Sequence, residues 1–210
     1  MGERASDAAY RVLLEMITDL RLAPGTFINE QALASELEFG RMPVREALAQ
    51  LAKDRFVTIL PRRGTVVTAM ALEDVLDMFE AREAVECGIA YIAATRATKD
   101  DLASLRRLVD TVNRDRDVTD SEQFLKDDHA VHTFLVHMVK NPLLQDAADL
   151  LLLHSIRFWR SYWRDRPPRA ESMLSHEDLL EALDSHDPDR AENAMRRHLQ
   201  SSRQLVQQLF

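Results

Sequence analysis

The sequence predicts a mainly α-helical protein, with a small N-terminal unit of helices and one β-hairpin followed by a larger all-α helical bundle. Two observations predict this class. Strand-like residues flank a turn within residues 56–68, and helical periodicity with clear punctuation fills residues 73–209. The composition agrees, because 210 residues contain only 5 glycines and 7 prolines, and 46% hydrophobic residues are enough for a core.

Three helices are predicted in the first unit. The first carries an apolar stripe and ends before Pro24-Gly25, and Asn29 is a suitable N-cap for the second. Before the third, Gly40 can take the positive φ of a turn, and Pro43 suits the first helical position, where its missing N–H costs nothing. The predicted bounds are residues 4–22, from the cap to about residue 37, and 42–54.

The front of the third helix carries two arginines, Arg41 and Arg45. They are four residues apart, so they project from the same side. A guanidinium group matches the two acceptors on a guanine edge and also neutralises phosphate, as a helix that reads the major groove requires. The alternative is a solvated surface helix in which these arginines pair with Glu46 or with water.

A β-hairpin with a basic turn is predicted next. Residues 56–60 and 65–68 are strand-like, and Pro61-Arg62-Arg63-Gly64 joins them. A helix-turn-helix followed by such a hairpin is a winged helix, and Gly64 would let its tip approach a nucleic-acid backbone. A winged helix can alternatively serve protein contact.

The charge distribution favours nucleic-acid binding by this unit. The net charge is −8, but residues 1–69 carry nine basic and nine acidic residues, whereas residues 70–210 carry 18 and 26. Within residues 41–63 there are six basic residues and two acidic ones. The basic surplus therefore coincides with the helix and the turn that would contact DNA, which argues against protein contact.

The motif Gly40-Arg41-Met42-Pro43-Val44-Arg45-Glu46-Ala47-Leu48, with the downstream Pro61-Arg62-Arg63-Gly64, resembles the GntR family of bacterial transcription regulators. The family usually has a serine where this chain has Gly40, so the serine's helix cap and phosphate contact are not expected here. The resemblance implies that a double-stranded DNA operator is bound by Arg41, Pro43, Arg45, Arg62, Arg63 and Gly64.

Six helices are predicted after a short linker at residues 69–72, which divides the chain into domains 1–69 and 70–210. Thr98 with Asp101 resembles a capping box, Thr119 with Glu122 caps the next helix, and Asn141-Pro142 separates two helices. The predicted helices cover residues 73–96, 99–116, from the Thr119 cap to about 140, 142–164, 171–185 and 188–209, with a loop at 166–169.

All seven histidines lie in the bundle, and three of them have spacings that allow them to meet an aspartate. Asp128 and His132 are four apart on one predicted helix. His176 and His198 are 22 residues apart, on two predicted helices that a turn would make antiparallel. A carboxylate and three imidazoles from three helices could hold a divalent metal ion, with His129 as a rival ligand. The alternative is that these side chains are solvated or hydrogen-bonded.

Three motifs resemble the FCD effector domain of the FadR subfamily: Asp128-x-x-x-His132, Ser175-His176-Glu177-Asp178-Leu179-Leu180-Glu181-Ala182-Leu183 and Ala194-Met195-Arg196-Arg197-His198-Leu199. The resemblance implies that Asp128, His132, His176 and His198 bind a divalent metal (Zn, Ni or Mn) beneath a pocket for a small carboxylate. Val131 replaces a common phenylalanine that packs rather than ligates. The six predicted helices suggest the shorter, VanR-like form of the domain.

Arg82 matches an arginine that is common on the first bundle helix of this subfamily. The resemblance implies that it could clamp an effector carboxylate through a bidentate pair. The alternative is a salt bridge to Glu86, which follows four residues later on the same predicted helix.

Together these features predict a one-component transcription regulator, acting as a repressor rather than an enzyme. A homodimer would bind a palindromic operator and leave it when a small carboxylic acid binds near the metal. The rivals are a metal-dependent hydrolase-type enzyme that uses the Asp/His site and a regulator with a purely structural metal. The chain has one cysteine, Cys87, no signal segment and no apolar run of about 18 residues, so we expect a soluble cytoplasmic protein without a membrane partner.

Overall fold

The computed structural model describes residues 3–115, 121–164 and 175–209. The chain divides into two compact units, Met1–Ala71 and Leu72–Phe210. In both units the buried side chains are mostly aliphatic, so each unit has a hydrophobic core of its own.

The described residues of the first unit form three helices and a three-stranded antiparallel sheet. The elements are α1 (Ala5–Thr18), β1 (Phe27–Ile28), α2 (Glu30–Glu36), α3 (Arg41–Lys53), β2 (Val57–Leu60) and β3 (Gly64–Val67). The strand order is β1-β3-β2, and the register pairs Val57 with Val67 and Leu60 with Gly64. The predicted helix-turn-helix and hairpin are therefore both confirmed as structural elements.

The core of the first unit lies between α1 and α3. Leu13 and Ile17 of α1 and Leu48 and Leu51 of α3 are buried, and Phe56 is buried directly after α3. Each such side chain contributes roughly 1.5–3 kcal/mol by leaving water. This packing fixes one face of α3 and leaves the opposite face, with both arginines, in solvent.

Four details of the first unit differ from the prediction. α1 ends at Thr18 rather than at residue 22, and Leu20 beyond it has a φ of 61°. α3 begins at Arg41, and its N-cap Gly40 has a φ of −66°, so that glycine does not use the left-handed region. Pro43 is consequently the third helical residue, where it still removes no helical hydrogen bond. β1 escaped prediction because two residues are too few to show alternation.

The described residues of the second unit form six helices, the number predicted. They are α4 (Leu72–Arg96), α5 (Lys99–Asp115), α6 (Ser121–Met138), α7 (Pro142–Trp163), α8 (Glu177–Asp184) and α9 (Pro188–Leu209). No strand occurs among these described residues. Within the described ranges, no helix is both long and apolar enough to cross a bilayer.

In the second unit, side-chain caps are present at two helix starts that the sequence indicated. Asp101 accepts from the N–H and the hydroxyl of Thr98, whose hydroxyl accepts from the N–H of Asp101, so the capping box at the start of α5 is confirmed. Asn141 caps α7 by accepting from the N–H groups of Leu143 and Leu144. The predicted cap at Thr119 and the loop at 166–169 lie outside the described residues.

The start of α8 is a correction to the prediction of a helix over 171–185. Residues 171–174 lie outside the described part of the chain, and Ser175 and His176 have no helical assignment. His176 is the N-cap of α8, with φ −103° and ψ 11°. It therefore stands before the helix, not on it.

α4 is the central helix of the second unit, because it packs against α6, α7, α8 and α9. Apolar residues such as Phe79, Ile89 and Ala90 are consequently buried on several of its sides. Two charged residues, Arg82 and Glu86, are buried with them. Buried charges in a central helix need polar partners, and the surrounding helices supply them.

Candidate DNA-binding surface and metal centre

The face of α3 that carries Arg41 and Arg45 is exposed to solvent. Arg41 is the first residue of the helix, and Arg45 lies one turn later. Arg45 Nε lies 3.4 Å from Oε2 of Glu30 at the start of α2, so its partner is Glu30 rather than the Glu46 considered from sequence. An exposed ion pair of this kind contributes little, about 0–1 kcal/mol, so it leaves Arg45 able to exchange partners.

Met42 is a candidate contact residue that sequence reasoning missed. It is the second residue of α3, between the exposed Arg41 and the partly buried Pro43, and it is 60% exposed. A flexible apolar side chain at the front of such a helix suits contact with a thymine methyl group. Met42 lies within the motif Gly40–Leu48, but only its exposure in the structure identifies it as a candidate contact residue.

The tip of the hairpin presents Arg62, Arg63 and Gly64, all of which are exposed. The N–H of Arg63 donates to the carbonyl of Leu60, which closes the turn. Arg62 and Gly64 both have positive φ, 63° and 102° respectively. A φ of 102° is strained for any residue with a Cβ atom, which explains why residue 64 is a glycine.

Three histidines and one aspartate of the second unit converge. The Nε2 atom of His132 lies 3.2 Å from that of His198 and 3.3 Å from that of His176. Oδ1 of Asp128 lies 3.5 Å from Nε2 of His176. One ligand atom from each of the four residues lies within 4.8 Å of all the others. The fold thus brings together the four residues that were predicted from the sequence as metal ligands.

Different elements supply these side chains. Asp128 and His132 lie one turn apart on α6, His198 lies on α9, and His176 precedes α8. His132 and His176 are 1% exposed, while Asp128 and His198 are partly buried. The cluster therefore sits inside the bundle, where water competes weakly for a bound ion.

The geometry of the cluster and the protonation state of His198 fit a divalent cation. Imidazole nitrogens bind zinc at about 2.0–2.1 Å, so two ligands of one ion lie roughly 3–3.5 Å apart. Burial, followed by the neighbouring His176 and His132 rings, holds the pKa of His198 well below its ordinary value. A neutral imidazole offers the lone pair that a metal needs. Three converging Nε2 atoms cannot all satisfy one another by hydrogen bonding, whereas one cation can satisfy all three.

Glu86 of α4 is a part of this site that sequence reasoning considered only as a partner of Arg82. Its Oε2 lies 2.5 Å from Nδ1 of His132. Burial opposes ionisation of Glu86, but the Arg82 guanidinium and the His132 ring outweigh it and hold the pKa of the carboxyl well below its usual range. The contact assigns the proton to Nδ1 and directs the Nε2 lone pair of His132 into the cluster.

Arg82 is engaged by side chains of the protein. Its Nε donates to Oε1 of Glu86 at 2.6 Å, and its Nη1 donates to the hydroxyl of Ser155 on α7 at 2.8 Å. Its exposure is 4%. Of the two interpretations of Arg82 from sequence, the salt bridge to Glu86 is the one found in the structure.

His129 is not a member of the four-residue cluster found among the described residues. It lies on α6 next to Asp128, and burial, then the charge of His132, lowers its pKa to about 4. The side chain is therefore neutral near pH 7. Its position one residue along the helix turns it about 100° away from the direction of Asp128, which separates it from the cluster.

Comparison with known proteins gives two family matches. Residues 5–67 match the bacterial regulatory proteins of the gntR family, and residues 77–201 match the FCD domain. The chain is 30% identical over 206 residues to the HTH-type transcriptional repressor RspR of Escherichia coli K12, covering 95% of this chain and 88% of that protein. It is also 30% identical to the HTH-type transcriptional regulator LutR of Bacillus subtilis, covering 88% and 93%.

The fold is shared with a solved structure. E. coli McbR/YncC superposes with a TM-score of 0.83 at 20% sequence identity, covering 99% of both chains.

The families and the named relatives are transcription regulators, not enzymes, which removes the hydrolase alternative. FCD domains commonly bind metal, and this chain has an Asp/His cluster that could hold one. The chain therefore belongs to the GntR family of bacterial transcription regulators, in the FadR subfamily that joins a DNA-binding winged helix-turn-helix to an FCD domain.

Proposed function

We propose that the protein is a metal-dependent repressor that a small carboxylic acid releases from its operator. The observation that carries this proposal is the convergence of Asp128, His132, His176 and His198 inside an FCD domain. As a regulator of bacterial genes, it would act in the cytoplasm, where the DNA is.

The DNA contacts are proposed for the exposed front of α3 and the hairpin tip. Arg41 and Arg45 would contact base edges and phosphates in the major groove, with Pro43 between them in the first turn of the helix. Arg62 and Arg63 would contact phosphates, and Gly64 would allow the tip to approach the backbone. The first unit of one chain would contact one half-site of an operator, so we propose a symmetric homodimer on a palindromic operator.

The four converging residues would hold one divalent ion. Three imidazoles and one carboxylate suit Zn, Ni or Mn, and the softness of the nitrogen ligands favours the first two. The ion would supply a Lewis-acidic attachment point for a carboxylate, since four protein ligands leave positions open in a five- or six-coordinate site. Burial holds the pKa of His198 well below its ordinary value, and the neutral imidazole is the form that binds a metal, which supports this use of the cluster.

Arg82 is the proposed second contact for the effector carboxylate. Its Nη2 atom lies 3.4 Å from Nδ1 of His132, so the guanidinium borders the residues that would hold the ion. Because Arg82 is paired with Glu86, a carboxylate would have to share it or displace that pair. Effector binding and rearrangement of this ion pair would then be coupled.

Release from DNA requires that the effector binds two states of the dimer with different affinity. We propose that the state with the carboxylate bound holds the two winged helices at a spacing that no longer fits both half-sites. A purely structural metal would instead stabilise the bundle without any response to carboxylates.

The test uses the full-length protein. Metal content is measured first, and thermal unfolding is then followed against a panel of small carboxylic acids before and after chelation. The proposal expects about one metal per chain, stabilisation by at least one carboxylate, loss of that stabilisation on chelation, and release of operator DNA by the same acid. A metal without any carboxylate response would establish the structural-metal alternative, and absence of metal binding would reject the site.

A further inference from the structure

A continuous chain of buried polar contacts connects α7 to the histidine cluster. It runs from the hydroxyl of Ser155 to Arg82, from Arg82 to Glu86, and from Glu86 to Nδ1 of His132. All four residues are buried, with exposures between 1% and 5%. The chain ends on the ring whose opposite nitrogen, Nε2, faces His176 and His198.

The placement of Glu86 follows from the helix that carries it. Arg82 and Glu86 are four residues apart on α4, so they share one face, and α4 is the central helix against which α6 and α7 pack. A buried carboxylate is unstable without compensation, and Arg82 supplies both an opposite charge and two N–H groups at 2.6 and 3.4 Å. Glu86 is thereby held as an anion in a fixed position against His132.

An ionised carboxylate on the far nitrogen of a metal-binding imidazole has three effects. It keeps the proton on Nδ1, so that Nε2 carries the lone pair, and it raises the basicity of that nitrogen. It also fixes the orientation of the ring. His198 lacks such a contact, because its Nδ1 atom is buried and has no hydrogen-bond partner among the residues that the structure describes.

We propose that Glu86 is the positioning residue of the metal ligand His132, and that Arg82 with Ser155 holds Glu86 in place. This rests on the proposed metal site. It assigns a role to a residue outside the four ligands, and it gives Arg82 a function in the absence of effector. His132 becomes the ligand whose strength the rest of the bundle controls.

The experiment measures metal affinity of metal-free, full-length protein by competition with a chromophoric chelator, and records the visible spectrum of the Co(II) form. Glu86→Gln keeps the shape of the side chain and removes its charge. Glu83→Gln is the matched control, because Glu83 lies on the same helix but pairs with Arg196 at 2.9 Å. We expect E86Q to weaken metal binding about 10–100-fold and to shift the Co(II) bands, and E83Q to do neither.

A third variant separates the inference from the site on which it rests. His198→Ala removes a proposed ligand, and unchanged metal affinity in H198A would reject the site itself. If H198A loses the metal while E86Q binds it as tightly as E83Q and with the same Co(II) spectrum, the site stands and the role of Glu86 is overturned.

The variant E86Q leaves Arg82 buried with a neutral partner, so its folding must be checked by circular dichroism. The double variant R82M/E86Q removes both charges of the pair and avoids a buried unpaired cation. It is expected to show the same loss of metal affinity as E86Q. If the folded double variant binds metal with wild-type affinity, the proposal is overturned. Wild-type affinity in E86Q would overturn it in the same way.

Discussion

The Nε2 atoms of His132 and His176 lie 3.3 Å apart, although 44 residues separate the two histidines in the chain. The first is on α6 and the second is at the N-cap of α8, before any helical turn has formed. The two rings are also edge-to-face, with an interplanar angle of 78°. This contact, together with Asp128 and His198, turns an arrangement of separate helices into a possible metal centre.

Loss of His198 should abolish the effect of metal on stability. In the wild type, a metal at about 100 times its Kd raises the free energy of unfolding by about 2.7 kcal/mol, because it binds only the folded chain. His198→Ala should show no such increase in thermal or urea unfolding. His137→Ala is the control, since His137 is exposed on the same helix as His132 and should keep the full response. Equal responses in both variants would contradict the assignment.

Removal of Arg45 should weaken operator binding. Arg45→Ala deletes a guanidinium from the exposed front of α3, and we expect a loss of about 1–3 kcal/mol in specific affinity. Fluorescence anisotropy with a duplex selected by the wild-type protein would measure it. Arg21→Ala removes an exposed arginine that pairs with Glu15 and lies outside α3, so its affinity should stay near wild type. Undiminished binding by R45A would reject α3 as the recognition helix.

Met42 is predicted to read a thymine methyl group. If it does, replacing one operator thymine with deoxyuridine should weaken wild-type binding by about 0.8 kcal/mol, the transfer free energy of one buried methyl-sized group. Met42→Ala should bind both duplexes equally. Leu143→Ala, which alters a side chain that is 80% exposed in the second unit, should discriminate as the wild type does. A scan in which no thymine position distinguishes wild type from M42A would refute this contact.

Two glycine substitutions should have opposite effects on stability. Gly64 has a φ of 102°, so Gly64→Ala strains the hairpin although nothing lies within 4 Å of the added Cβ atom, and we expect more than about 1 kcal/mol of destabilisation. Gly88 lies inside α4 with open space for a Cβ atom, so Gly88→Ala should stabilise by roughly 0.4–1 kcal/mol. Urea unfolding of each variant gives the comparison. The same sign for both changes would contradict the conformational argument.

Most elements of the fold were predictable because their signals are local. The apolar spacing in α3, the cap at Asn29 and the capping box at Thr98 each depend on residues within one or two helical turns, and the structure contains all three. β1 was missed because its two residues pair with β3, which lies nearly forty positions away in the chain. Its strand conformation is a consequence of tertiary contact and leaves no local pattern.

The candidate site likewise has features that could be predicted from the sequence and features that could not. Residue types and spacings predicted Asp128, His132, His176 and His198 as ligands, since the chain has only 7 histidines and the i, i+4 spacing of Asp128 and His132 is visible in the sequence. Whether Arg82 pairs with Glu86 or stays available could not be decided from spacing, because a helix permits both. The burial of Arg82 on α4 explains its salt bridge to Glu86, since a guanidinium without water needs a polar partner. The contact of Arg82 with an effector carboxylate stays a prediction.

The sequence by itself determined the helices, the winged helix-turn-helix and the ligand chemistry, because periodicity, turn residues and side-chain type act over short distances. Only the tertiary structure decided that His176 stands before α8, that Met42 is exposed, and that Glu86 reaches Nδ1 of His132. The positions of His176 and Glu86 depend on how α4, α6, α8 and α9 pack, and the exposure of Met42 depends on how α3 packs against α1 and α2. Such packing is a cooperative property of side chains far apart in the chain.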